Sequence, residues 1–200
     1  MIENKLPQSF YLDNNVIEIS QSLLGKILVS NIDNTITCGM ITEVEAYLGS
    51  NDKASHAYNN KRTDRTKAMF LKGGIAYIYL CYGIHHLLNV VIGEKDIPHA
   101  ILIRSIQPRD GINTMLNRRN FKDLKKELTN GPAKLTKALG INMEFNCISL
   151  SSNKIWIEDH DITINKKDIL SSSRIGVDYA GEDAKLPYRY YINNNKWISK

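Results

Sequence analysis

The chain has 200 residues, and 26 basic against 21 acidic side chains give it a net charge of +5. Hydrophobic residues make up 42% of the sequence, which excludes global disorder because disorder requires low hydrophobicity and a large net charge. The best candidate for a membrane span, residues 87–92, is far shorter than the ~20 residues that cross a bilayer, so we expect no transmembrane segment and no membrane partner.

Neither the first residues nor the cysteines indicate export. The opening MIENKLPQSF lacks the basic and apolar regions of a secretory signal. Three scattered cysteines are too few for a disulfide framework, and none belongs to a CxxC pair typical of zinc sites. We therefore predict a reduced, cytoplasmic protein, associated with the nucleoid if its source is prokaryotic. With no repeat or linker, residues 1–200 are predicted to form one domain.

The first predicted elements are a helix and two strands. An apolar stripe predicts the helix, with Ser20 or Ser22 as candidate N-caps. That stripe comprises Ile19, Leu23, Leu24 and Leu28. Residues 27–31 then favour a strand. Residues 39–48 alternate with a period of two, which predicts a strand with Ile41, Glu43, Glu45 and Tyr47 on one face.

Three further strands are predicted in the middle of the chain. Residues 75–82 place Tyr77 and Tyr79 on one face of the first. Residues 87–92 and 100–106 are apolar on both faces, which predicts that these two strands are central in their sheet.

The remaining elements complete an α+β pattern. Asp110 is a candidate cap for a helix that ends near residue 120. A second helix is predicted between Pro132, near its first position, and Gly140, just past its end. Short strands are predicted at residues 155–157 and 188–192. The strands and helices do not alternate regularly, so we predict an α+β domain with a mixed, mostly antiparallel curved sheet flanked by helices.

Glu43 and Glu45 share a strand face with Tyr47, and this arrangement has two interpretations. One is an ordinary solvent-facing strand surface. The other is a carboxylate held beside an aromatic ring in a cleft, where burial tunes it as a general base. The nearby His56 and three further tyrosines favour the cleft, because aromatic side chains near an acid suit a pocket that stacks a flat, cationic ring.

Two polar residues interrupt apolar strands, and burial of either side chain is costly in free energy unless it has hydrogen-bond partners. Arg104 must meet a carboxylate or a carbonyl, either as a structural ion pair or as support for a catalytic group. Asn89 requires hydrogen-bond partners or a functional purpose. The adjacent His85 and His86 point to opposite faces of a strand, so they do not indicate a shared metal ion, and no metal site is predicted.

Basic residues cluster directly after His56, between it and the tyrosine-rich strand. The cluster consists of Lys61, Arg62, Arg65, Lys67 and Lys72. Such a run is commonly a solvated face. Next to exposed aromatic residues, however, it favours contact with a nucleic-acid backbone.

Several motifs resemble the alkyladenine (3-methyladenine) DNA glycosylase family of the mammalian type. The matching stretches are EVEAYLGSNDKASHA, GGIAYIYLCYGIHHLLNVV, AILIRSIQP, NGPAKLTKALGI and RIGVDYAGEDA. The opening SFYLDNNVIEISQSLLGKILV is similar to the start of the family, so the resemblance covers nearly the whole chain. The chain departs from the family in TDRT, where TPRN is common, and Asp64 there adds a negative charge to a loop expected to face DNA.

The resemblance implies a role for individual residues. Glu45 matches the catalytic carboxylate that activates water, and Arg104 matches the arginine that holds this water. Base-binding residues are also implied: Tyr47, His56 and Tyr79 as walls around a flipped base, and Asn89 as the side chain that conflicts with the amino group of guanine. Tyr82 matches the tyrosine that intercalates into the duplex. We further expect Arg62, Arg65 and Lys67 to contact the DNA backbone.

The resemblance thus predicts a monofunctional DNA N-glycosylase. It is expected to act as a monomer, without a cofactor or metal, on double-stranded DNA that contains alkylated or deaminated purines. Two alternatives stay open: a nucleic-acid binding protein of the same fold without activity, and a protein of this fold directed to RNA.

Overall fold

Strand β2, Thr35–Tyr47, is the longest element and organises the sheet. The structure is a computed structural model that describes residues 4–199. On one edge β2 pairs with β5, His99–Pro108; on the other it pairs first with β1, Ile27–Ile32, and then with β8, Arg189–Ile192. The end of β2 that carries both glutamates is therefore enclosed on both edges.

The other strands extend this sheet on both sides. Strands β3, Ala76–Cys81, and β4, His85–Ile92, lie beyond β5, while β6, Ile155–Glu158, lies beyond β1 and β7, Ile169–Ser172, beyond β8. Every described strand pair is antiparallel, which confirms an α+β fold with a curled antiparallel sheet. As predicted, β4 and β5 are internal strands.

The first helix begins earlier than predicted. Helix α1 spans Val16–Ser22, and its N-cap is Asn15, whose side chain accepts a hydrogen bond from Glu18 N. The predicted caps are wrong: Ser20 lies inside the helix, where its hydroxyl donates to Val16 O at 2.6 Å. The stripe overestimated the helix because Leu23 and Leu24 are buried in the turn that follows it.

The other two helices test the predicted boundaries. Helix α2 spans Ile112–Arg119, but its N-cap is Gly111 at φ 72°, so the predicted Asp110 cap is wrong. An L side chain rarely adopts this left-handed conformation, which glycine adopts freely. Helix α3 spans Pro132–Leu139 with Pro132 in its first turn and Gly140 at its end, as predicted.

A register shift in β2 bends the sheet next to the glutamates. The pairing with β5 is irregular between Ile41 and Val44, around Glu43. Irregularities of this kind re-aim side chains and increase the local twist. Both glutamates are completely buried, so the solvent-facing interpretation of this strand is wrong. Between residues 4 and 199, no helix combines the length and hydrophobicity needed to cross a bilayer.

Gly73 offers a test of the packing beneath the β3–β4 hairpin. A Cβ atom at this position would overlap the backbone oxygen of Tyr11 and lie 2.9 Å from Gly93 O. We predict that Gly73→Ala lowers the free energy of unfolding by about 3 kcal/mol, because a backbone atom cannot move aside as a side chain can. Gly131→Ala is the control, since its Cβ would meet only the flexible Lys134 side chain, 3.4 Å away. Equal stability of both variants in chemical denaturation would contradict the packing described.

Candidate active site

An open cavity of about 520 Å³ lies where β3, β4 and β5 face the loop after β2 and the segment after β7. Aromatic side chains dominate its lining: Tyr47, His56, Tyr77, Tyr79, Tyr82 and Tyr179. Asn89 and Arg104 add polar groups from the neighbouring strands. The fold thus brings Arg104 and the residues predicted for base binding to one cavity.

Glu45 lies behind the lining of the cavity, with its carboxylate held by two hydrogen bonds and one ion pair. Tyr47 donates to Oε2 at 2.8 Å, and the backbone N–H of Ile175 donates to Oε1, also at 2.8 Å. Arg104 Nη1 lies 3.1 Å from Oε1. Burial and the adjacent Glu45 carboxylate raise the pKa of Tyr47 well above its usual value, so this phenol remains a donor. All three partners of Glu45 line the cavity.

Glu43 has the same charge but a different environment. Its two oxygens accept five hydrogen bonds, from Arg104, Arg189, Ser105 and twice from Ser199. Burial disfavours its ionised form, but Arg104, Ser199 and Arg189 outweigh burial and lower the pKa of Glu43. These bonds use the lone pairs of Glu43, which therefore acts as an anchor for Arg104.

Arg104 joins the two glutamates. Its Nε donates to Glu43 Oε1 at 3.0 Å while its Nη1 lies beside Glu45, and the side chain is almost fully buried. The expectation that this arginine meets a carboxylate is confirmed twice over. The contact of Arg104 with Glu43 is a structural ion pair. Its contact with Glu45 lies next to the cavity.

His56 and the two tyrosines of β3 form one face of the cavity. The rings of His56 and Tyr79 meet edge to face with centroids 4.7 Å apart, and Tyr77 is tilted 33° against Tyr79. His56 Nδ1 lies 2.8 Å from the Tyr77 hydroxyl, and Arg65 Nη2 lies 3.3 Å from Nε2. Burial and then Arg65 lower the pKa of His56 to about 4, so the ring is neutral at pH 7.

Asn89 lies on β4 directly opposite Tyr77 of β3. Its Nδ2 donates to the Tyr77 carbonyl at 3.1 Å, and the side chain is buried at the cavity wall. The amide thus has the partner that its apolar strand requires, and it also borders the space available to a ligand.

Tyr82 lies at the tip of the β3–β4 hairpin and is 89% exposed. Its backbone has φ 52°, a left-handed conformation that is uncommon for an aromatic residue, and Gly83 follows at φ 73°. Ile84, in the same turn, is also exposed. The hairpin therefore projects apolar side chains into solvent at the rim of the cavity.

The predicted backbone-contacting residues have different environments. Arg65 borders the cavity, with its guanidinium 4.8 Å from the centroid of the Tyr79 ring. Arg62 pairs with Asp96 at 2.8 Å and covers the Phe70 ring. Lys67 is exposed on a 3-10 turn and lines neither the cavity nor the groove that adjoins the cavity. This adjoining groove is lined by Lys53, Lys61 and Arg65, and it shares His56 and Tyr179 with the cavity.

Four residues at the site were not singled out from the sequence: Asp52, Arg174, Ile175 and Tyr179. Asp52 and Arg174 form a buried ion pair, and Tyr179 donates to Ala54 O at 3.0 Å at the mouth of the cavity. Their segments lack hydrophobic periodicity, so no local pattern indicates burial. The only available signals were the EVEAYLGSNDKASHA and RIGVDYAGEDA stretches of the family resemblance, which contain these four residues. Among the described residues, no three His, Cys, Asp or Glu side chains are grouped to hold a metal ion.

Glu43→Gln tests whether this residue anchors the site. We predict a loss of about 3–5 kcal/mol in the free energy of unfolding at pH 7, because Arg104 and Arg189 lose a buried counter-charge. A carboxyl with a lowered pKa contributes stability above its ordinary pKa of ~4.3, and this contribution is lost as the pH falls through the folded-state value. The deficit of the variant should therefore shrink in acid.

Denaturation from pH 7 to pH 3 measures this dependence. Glu144→Gln, which changes an exposed carboxylate, is the control and should shift stability by less than about 0.5 kcal/mol. A deficit of Glu43→Gln that does not change with pH would contradict the anchoring role.

Comparison with known proteins identifies the family. The family model described as methylpurine-DNA glycosylase matches residues 9–196. A provisionally named 3-methyladenine DNA glycosylase from Chlamydia pneumoniae is 46% identical to the chain, over 94% of the chain and 95% of the relative. One of the same name from Clostridium botulinum is 44% identical over 98% of both proteins. A relative of the same name from Bdellovibrio bacteriovorus is 42% identical and covers 98% of both chains. The predicted enzyme class, a DNA N-glycosylase of DNA repair, is thereby confirmed, and the chain belongs to the methylpurine-DNA glycosylase family.

Proposed function

We propose that this protein flips a damaged purine nucleotide out of double-stranded DNA and hydrolyses its N-glycosidic bond with a water activated by Glu45. The observation that carries the proposal is the buried Glu45–Arg104 pair directly behind an aromatic cavity. A protein that only binds DNA needs neither the ion pair nor the cavity. The target bond is inaccessible inside a duplex, so the nucleotide must leave the base stack first.

The hydrogen bonds of Glu45 indicate which oxygen takes the proton. Oε1 already receives Ile175 N–H and faces Arg104, whereas Oε2 receives only the Tyr47 hydroxyl. One lone pair of Oε2 is thus left for a water molecule. Because the carboxylate is completely buried, bulk water is excluded, and the proposed step requires one water admitted with the flipped nucleotide.

The bond changes in this step balance without a cofactor. The C1′–N9 bond breaks, and the bonding pair leaves with the purine; this neutralises a cationic alkylated base, whereas a neutral base must also take up a proton as it leaves. The water oxygen bonds to C1′ as its proton passes to Glu45, which also stabilises the oxocarbenium-like sugar. No lysine lines the cavity among residues 4–199, in keeping with hydrolysis to an abasic site rather than a Schiff-base intermediate.

The aromatic wall suits alkylated purines. A purine methylated at N3 or N7 is cationic and electron-poor, and stacking on Tyr47, His56 and Tyr79 favours such rings. Because His56 is neutral at pH 7, it stacks without repelling a cationic base. We propose 3-methyladenine, 7-methylguanine, hypoxanthine and ethenoadenine as candidate substrates.

DNA contact is proposed for the rim of the cavity. Tyr82 fills the space left by the flipped nucleotide, since its exposed ring offsets part of the unstacking cost of a few kcal/mol. Arg65 and Lys67 are proposed to contact phosphates, with Arg62 contributing beside its Asp96 partner. The groove next to the cavity adds Lys53 and Lys61 to this basic surface. We propose that the enzyme acts as a monomer.

Glu45→Gln tests the proposed base. We predict that base release from alkylated duplex DNA falls by at least about 10³-fold, because the amide cannot accept the proton of the water. Affinity for the damaged duplex should be retained. Release is measured by alkaline cleavage at abasic sites under single turnover, with the exposed Glu182→Gln as a control. Turnover close to that of the unmodified enzyme would contradict the role of Glu45.

Asn89→Ser tests the selection of purines. We predict that release of guanine-derived lesions rises about 10-fold relative to hypoxanthine, because a shorter side chain removes the conflict with the exocyclic amino group. The measurement is the ratio of single-turnover rates on matched duplexes. Asn117→Ser on the exposed face of α2 should leave this ratio unchanged. The same ratio in the two variants would show that Asn89 does not restrict the pocket.

A further inference from the structure

Glu45 receives its Ile175 hydrogen bond from a segment 130 residues away in the chain. Ile175 belongs to neither a helix nor a strand, so sheet pairing does not hold its N–H in place. The residue before it, Arg174, is tightly bound. We propose that Arg174 and Asp52 are positioning residues that hold the Ile175 N–H on Glu45 Oε1 and thereby leave Oε2 as the oxygen that meets water. This inference rests on the proposed function of Glu45.

Both terminal nitrogens of the Arg174 guanidinium are held by hydrogen bonds. Its two terminal nitrogens pair with the two oxygens of Asp52, with Nη2–Oδ1 at 2.9 Å. The same nitrogens donate to Ala46 O at 2.9 Å and to Asp183 O at 3.1 Å. A two-pronged guanidinium–carboxylate pair fixes orientation as well as distance, which a single contact does not.

The guanidinium also contacts the aromatic ring that donates to Glu45. It lies 4.8 Å from the centroid of Tyr47 and 5.4 Å from that of Tyr188. Tyr47 and Ile175 supply the two hydrogen bonds that Glu45 accepts. Arg174 therefore restrains the position of both donors: Ile175 through the backbone that joins the two residues, and Tyr47 through contact with its ring.

Asp52 extends the same connection to the loop after β2. Its side chain accepts from Leu48 N and Ala54 N, both at 3.0 Å. Ala54 and the following residues form the cavity wall that leads to His56. One carboxylate thus links the end of β2, the wall loop and the segment that carries Ile175.

A contribution to the stability of the fold does not by itself explain why Asp52 and Arg174 form a buried ion pair. Arg174 is completely buried, and its Nε has no hydrogen-bond partner in the part of the chain that the structure describes. A buried ion pair loses hydration, and apolar residues of similar volume are often as stabilising. What apolar residues cannot supply is the directed link from Asp52 to the backbone beside Glu45.

Asp52→Asn tests the positioning role. The amide has nearly the shape of the carboxylate, but it removes the negative charge and one of the two oxygens that accept from Arg174. We expect single-turnover base release from duplex DNA containing hypoxanthine to fall about 10- to 100-fold, as displaced catalytic groups do. The lower rate should persist at saturating enzyme, because a displaced hydrogen-bond donor to Glu45 affects the chemical step and not the binding of DNA. Affinity for a duplex with an abasic-site analogue should change less than about twofold.

Asp183→Asn is the matched control. Asp183 also joins the two segments, since its carboxylate accepts from Lys53 N at 2.8 Å, but it meets Arg174 only through its backbone oxygen. A merely structural link would make both variants lose thermal stability and rate in parallel. That result, or an unchanged rate in Asp52→Asn, would overturn the proposal.

Arg174→Lys provides a second variant, since it keeps the charge but not the two-pronged geometry, and the same rate and affinity criteria apply to it. If neither variant folds, the pair is a structural requirement and the proposal fails. Glu45→Gln is measured in parallel. Rapid turnover by Glu45→Gln would remove the proposed function itself, whereas an inactive Glu45→Gln beside an unaffected Asp52→Asn would remove only the positioning role.

Discussion

The buried contact of Arg104 with Glu43 and Glu45 is the constraint on which the rest of the structure depends. Three charges out of water are costly unless each finds partners, and the sheet alone offers too few. The remaining donors come from the end of the chain, where Arg189 and Ser199 bind Glu43. The last strand and the residues after it therefore complete the centre of the molecule.

Two glutamates two positions apart acquire different chemistry from this arrangement. Glu43 accepts five hydrogen bonds, which saturate its oxygens and lower its pKa. Glu45 accepts two hydrogen bonds, one on each oxygen, and its Oε1 also pairs with Arg104. A carboxylate with no free lone pair is an anchor, whereas one with a lone pair left can accept a proton. The proposed catalytic difference thus follows from the number and direction of the donors.

The β3–β4 hairpin combines two opposite demands. Its inner face presents Tyr77 and Tyr79 to the cavity on rigid paired strands, while its tip exposes Tyr82 in a left-handed turn. Strained, exposed aromatic residues persist only where the surrounding structure supports them. Here the support is the packing under Gly73 and the pairing of β4 with the internal strand β5. A stable base thus carries an exposed tip that is suited to contact with a duplex.

The sequence by itself determined the main strands, the α+β class and the family. Period-two alternation and apolar runs reflect burial directly, and motifs such as EVEAYLG retain their order along the chain. Local signals failed at the caps of α1 and α2, where Asn15 and Gly111 take the positions predicted for serine and aspartate. Only the tertiary structure decided that Asp52 and Arg174 meet and that Ile175 reaches Glu45. These contacts join irregular segments more than a hundred residues apart, so packing of the whole chain selects them, and no local pattern records it.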